Sequence, residues 1–124
     1  MGYKIKISSG DLEIEATLND TSIAAKFKDI LPLTANANTW GDEVYFTIPL
    51  NEDLVNPQEV VEEGDLGYWP PGRAFCIFFG ITPDSRYKEI RAASSVTVIG
   101  KVLGDATLFK EVTSGEPITL VLAE

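Results

Sequence analysis

Cys76 is the one thiol of the sequence, and no histidine accompanies it. Without an imidazole, mechanisms built on Ser-His-Asp or Cys-His pairs, a His-ligated zinc or a His general base are excluded. A lone cysteine has no internal disulfide partner. Set among Phe75, Ile77 and Phe78, it reads as a small buried hydrophobe, and buried thiols are inert. Ser85 and Ser94 have no recognisable base. Glu59, Glu62, Glu63 and Asp65 offer oxygen ligands to a hard cation but lack the Asp-x-Asp-x-Asp-Gly spacing of a calcium loop, so they read as a solvated charge run. Neither Gly64-x-x-Gly67 nor Gly100-x-x-x-Gly104 carries the Gly-Lys-Ser/Thr ending of a phosphate loop. No catalytic residue, metal or cofactor is assigned on these grounds. Two features remain. Arg73 and Arg91 carry guanidinium forks suited to planar acceptors. Tyr68 and Trp69, ahead of Pro70-Pro71, either pin a loop by packing or line a half-wet pocket.

These residues sit in a chain of 124 with ten basic and nineteen acidic side chains, a net charge of −9. That field repels phosphate backbones and anionic surfaces, so no nucleic acid and no membrane is expected as a partner. No apolar run approaches the roughly 20 residues of a membrane helix. The N-terminus alternates polar and apolar residues rather than forming a leader, and Lys6 stands where a myristoylation motif wants Ser or Thr. The expectation is one cytoplasmic domain over residues 1–124, with its oligomeric state open.

The elements that must position the candidates are mostly strands. Tyr3–Ser8 and Leu12–Leu18 alternate around a Ser9-Gly10-Asp11 turn. Asn19-Asp20-Thr21-Ser22 supplies cap chemistry for a helix near 20–31 that ends at Pro32. Glu43–Ile48 reads as a strand with Val44, Phe46 and Ile48 on one face and Tyr45 on the other. Ala74–Phe79 is apolar on both faces, which marks a central strand. Val96–Leu103, a short helix near 105–112 and Ile118–Leu122 complete the chain. Residues 49–73, with four prolines, read as irregular. Many short strands and two short helices predict a mainly β, closed antiparallel barrel of about eight strands.

Several strings resemble the cyclophilin fold: Val98-Ile99-Gly100-Lys101-Val102, Gly104-Asp105 and the Leu108-to-Val112 helix, the Ala24-to-Leu31 helix, and Gly72-Arg73-Ala74-Phe75-Cys76-Ile77. A closer resemblance is to small prokaryotic cyclophilin-like domains of uncharacterised function. It rests on Gly64-Asp65-Leu66-Gly67-Tyr68-Trp69-Pro70-Pro71-Gly72, on Phe78-Phe79-Gly80-Ile81-Thr82-Pro83-Asp84-Ser85, on Arg91-Ala92-Ala93-Ser94-Ser95-Val96 and on Trp40-Gly41-Asp42-Glu43-Val44-Tyr45-Phe46. The resemblance spans essentially the whole chain.

The resemblance implies a groove but not the isomerase groups. Cyclophilin prolyl isomerases use the Arg of a Phe-His-Arg motif, and Phe46 falls near that Arg, with Tyr45 at the His. Glu62 and Ala74 replace glutamines, Cys76 replaces the proline-contacting Phe, and Val96 replaces a pocket His. The implied site is a groove on the Ala74/Cys76/Phe78 face. Its ligand-binding positions are Phe46, Glu62, Cys76 and Phe78, with Trp69, Arg73, Thr82, Ser85 and Arg91 from the surrounding loops. The leading reading is a binding domain for a peptide or small molecule, not an enzyme. The alternatives are a prolyl isomerase with rearranged groups, using Arg73 or Arg91, and an enzyme or subunit acting on small amide-type compounds.

Overall fold

In the computed structural model, which describes residues 3–123, the chain begins as a hairpin. Strands β1 (Tyr3–Ser9) and β2 (Leu12–Leu18) pair from Tyr3↔Leu18 to Ser9↔Leu12. Met1 and Gly2, where the acylation motif falls, lie outside the described residues. Alternation sends Ile5, Ile7, Ile14, Ala16 and Leu18 into the core. Helix α1 (Ser22–Asp29) follows. The Thr21 hydroxyl accepts from the Ala24 amide at 3.1 Å, and the Asn19 side-chain oxygen accepts in turn from the Thr21 amide and hydroxyl. This satisfies donors that the first helical turn leaves free.

The remaining elements are β3 (Leu33–Asn36), β4 (Asn38–Thr39), β5 (Glu43–Thr47), β6 (Gln58–Val61), β7 (Asp65–Trp69), β8 (Ala74–Phe78), β9 (Ile90–Leu103) and β10 (Pro117–Leu122), with 3-10 turns at Pro70–Gly72 and Ala106–Glu111. All pairings are antiparallel. The main order is β3-β10-β1-β2-β9-β7-β8-β5-β4, and β6 pairs with β9 beside it. No ladder joins the two ends, β3 and β4. They are successive pieces of chain separated by Ala37 alone, the first paired to β10 and the second to β5. The wall is therefore a mainly β antiparallel barrel, closed at that point by the backbone rather than by hydrogen bonds.

Two plugs fill its ends. Phe27 of α1 stacks on Phe75, centroids 4.7 Å apart, near the start of β8, and Phe109 of the second 3-10 turn meets Phe79 at 6.2 Å just past its end. The helix expected near 105–112 is thus a 3-10 turn of six residues, capped by the Asp105 carboxylate on the Thr107 amide.

Two expectations need correction. Residues 49–73 are not irregular throughout: they contain β6, β7 and a 3-10 turn. Strand β7 lies between β8 and β9 and is buried on both faces, so it shows no alternation, and its central Gly67 and following prolines mimic a loop. Strand β9 begins at Ile90 rather than Val96. Its first part leaves the barrel to pair with β6 across a bulge, and the Ala92-to-Ser95 stretch lacks the bulky residues that announce a strand.

Candidate functional site

Strand alternation splits β8 between two apolar clusters. Phe75 and Ile77 point into the barrel, while Ala74, Cys76 and Phe78 point outward, covered by Val61 of β6 and by Ile90, Ala92 and Val96 of β9. The β6/β9 flap does not reach the whole outer face. Between it and β5 lies a pocket of about 170 Å³ lined by Trp40, Glu43, Tyr45, Trp69, Cys76, Phe78, Ala92, Ala93 and Val96. Register explains the arrangement: Tyr45 stands opposite Cys76 and Glu43 opposite Phe78, all on one side of the sheet.

Glu43 is the group with chemistry. It is 6 % exposed, and no Lys or Arg among the described residues pairs with it. Burial pushes its carboxyl up to about 7, offset in part by the neighbouring Cys76 thiol, which itself donates to Ala74 C=O at 3.9 Å. Cys76 itself is held well above the usual thiol range by burial and by the neighbouring carboxylate. The thiol is therefore a neutral filler of the floor and no nucleophile.

The loops that aim these side chains interlock through glycines. A Cβ on Gly41, whose φ is +60°, would stand 2.8 Å from the Pro83 ring and 2.9 Å from the Thr82 Cα, and one on Gly80 would strike the Asp42 side chain. Asp42 and Phe79 exchange backbone bonds with this junction, Asp42 N–H donating to Ile81 C=O and Phe79 N–H to Asp42 C=O. The Trp40-Gly41-Asp42 turn is thereby clamped against the Gly80–Pro83 loop, which fixes Glu43 at the start of β5.

The candidates read from the sequence are distributed as follows. Trp69, Cys76 and Phe78 line the pocket. Trp69 is anchored by its indole N–H, which donates to the Ser94 hydroxyl at 2.7 Å. Its neighbour Tyr68 faces the barrel, where its hydroxyl donates to Leu50 C=O at 2.7 Å and accepts from the Glu52 amide. The two readings of this pair are each realised by one residue: Tyr68 pins the loop and Trp69 lines the pocket. Phe46 is not in the groove, since it alternates with Tyr45 and packs inside the barrel 5.4 Å from Phe75. Glu62 turns away to Lys101, which also lies 3.5 Å from Asp65. Arg73 is exposed, in a left-handed conformation after the 3-10 turn. Arg91 is held by Glu89 at 2.6 Å and Glu59 at 2.9 Å.

Thr82 and Ser85 bracket a loop instead of lining a site. The Thr82 hydroxyl donates to Arg91 C=O, and the Ser85 hydroxyl accepts from the Thr82 and Arg91 amides at 2.9 and 3.2 Å. Ser85→Ala is expected to leave the barrel folded while raising amide exchange and proteolysis across 82–91. Unchanged protection there counts against the bracket. Among the described residues, no three carboxylates or thiols gather as a metal site, and no helix is long and apolar enough to cross a membrane.

Trp40, Glu43, Tyr45, Ala92, Ala93 and Val96 line the pocket without being among the ligand-binding positions read from the sequence. The signal lay in the Trp40-to-Phe46 string, where Glu43 and Tyr45 share the face opposite Val44 and Phe46.

A mainly β barrel with helical plugs and an outer-face pocket on its central strand defines a cyclophilin-like protein. The Cyclophilin-like family matches residues 3–121, and the chain belongs to that family. Its fold is also that of a hypothetical protein from Archaeoglobus fulgidus solved in solution, with 37 % identity and a TM-score of 0.82 over 98 % of this chain and 95 % of that one. No curated protein matches the chain.

Proposed function

We propose that this is a binding domain whose ligand is a compact small molecule held on the outer face of β8, and that it does not isomerise prolyl bonds. One observation carries the reading: a mainly apolar pocket of about 170 Å³ contains a single buried carboxyl without a cationic partner. Ligand sites pair apolar walls with a few placed polar groups. A cavity near 150 Å³ admits a molecule the size of benzene, so the volume suits one ring rather than a peptide. An isomerase needs a donor near the prolyl nitrogen, against a barrier of about 18–20 kcal/mol. No guanidinium lines this pocket: Arg91 is engaged by two carboxylates, and Arg73 is not among the lining residues.

Two measurements test it. Xaa-Pro peptide assays should give no turnover above background, and turnover comparable to a standard cyclophilin overturns that half. A fragment screen by chemical-shift perturbation should move the Trp40 and Trp69 indole resonances together with Ala92 and Ala93. Ala93→Phe, at an exposed rim position, should abolish those shifts. Shifts clustered on the Tyr3–Leu18 hairpin instead would refute the assignment.

A further inference from the structure

Resting on the binding reading above, we propose that the ligand is a small organic cation, an ammonium group on a ring-sized apolar body, with its charge on Glu43 and its body between Trp40, Tyr45 and Trp69.

The argument starts from what Glu43 lacks. A buried carboxylate costs several kcal/mol unless it is paired or bonded, yet the group beside it is the Cys76 thiol, a weak donor that is turned to Ala74 C=O. The two cations of β9 are committed elsewhere: Arg91 to Glu89 and Glu59, and Lys101 to Glu62 and Asp65. The chain thus keeps its own positive charges away from this carboxyl. A cation brought by a ligand would supply the missing charge in a site where water screens little.

The walls point the same way. Trp40, Tyr45 and Trp69 all line the cavity, and aromatic faces attract ammonium groups within about 6 Å of the ring centroid. Tyr45 follows Glu43 by two residues on the same strand face, a separation of about 7 Å. A cation against the carboxylate is then within reach of a ring. An anionic ligand would meet Glu43 and a chain of net charge −9, so the field selects against it.

The test uses the full chain at pH 8 and three probes of one shape: benzylammonium, benzyl alcohol and benzoate, read by tryptophan fluorescence and indole shifts. Benzylammonium should bind at least tenfold more tightly than benzyl alcohol, and benzoate should not bind. In Glu43→Gln, folding confirmed by its amide spectrum, benzylammonium and benzyl alcohol should converge to within about twofold. Equal binding of these two to the wild-type chain overturns the cation and leaves the pocket standing. So does a preference that survives in Glu43→Gln. If no probe moves the pocket resonances, the cation and the pocket both fall.

Discussion

Glu43→Gln is expected to stabilise the folded protein by about 3 kcal/mol at pH 8 and to leave it unchanged at pH 4. Burial holds the native carboxyl at about 7 against an ordinary 4.5. Between those values the folded chain keeps a proton that the unfolded chain has lost. Fewer protons on the unfolded state mean that stability falls as pH rises, by about 1.4 kcal/mol per pH unit, until the native group also ionises. Above pH 7 the full loss is present, and below 4.5 it is absent. Gln resembles the protonated acid in shape and never ionises, so the difference between the two proteins isolates this one group from the other carboxylates. Urea unfolding at half-unit steps from pH 4 to 8 measures it. A difference that stays flat across the window would show that Glu43 ionises normally.

The second large effect is expected at Gly100. A Cβ there would fall inside the Thr17 carbonyl oxygen and 3.2 Å from the Leu18 Cα, both on β2. Leu18 and Gly100 are direct partners, and beside them the Asn19 amide donates to Ile99 C=O at 2.8 Å and its side chain to Val98 C=O at 2.7 Å. Backbone cannot step aside as a flexible side chain can. Gly100→Ala should therefore cost about 3 kcal/mol or more, at the upper end of overpacking penalties. It should also loosen the α1 start that Asn19 secures. Denaturant melts measure the loss, and a cost under about 1 kcal/mol would mean that β2 and β9 slide apart freely.

The parts of the fold legible in the sequence are those with a local cause. The β1–β2 hairpin shows in its alternation, the helix start in Thr21, and the two faces of β8 in the spacing of Phe75 and Ile77 against Cys76 and Phe78. Strand β7 was hidden because burial on both sides erases the period-two signal. Glu43 was hidden because a charged residue at a strand start ordinarily faces water. What buries it is the meeting of Gly41 with Pro83 and of Gly80 with Asp42, contacts between segments some forty residues apart. Arg91 offered a free guanidinium in the sequence, but Glu89 two residues before it and Glu59, 32 residues away, both engage it. The Thr82-to-Ser85 string was visible, but its hydroxyls face their own loop.

Ala37 has a consequence for how this protein meets other chains. Its amide donates to Glu116 C=O at 2.8 Å, and its carbonyl accepts from Gly115 at 2.7 Å. The residue between the two terminal strands of the ladder thus has both backbone groups occupied by the turn before β10. An open sheet would offer a row of free donors and acceptors there, the template on which foreign strands add. A covalent seam interrupts that template at Ala37 and leaves only two short strands, β3 and β4, beside it. The flap strand β6 pairs with β9 and leaves its other edge open, and it is four residues long, preceded by Pro57 and carrying Glu59. Shortness, proline and negative charge each discourage strand addition, so the margin at β6 is built to stay solitary.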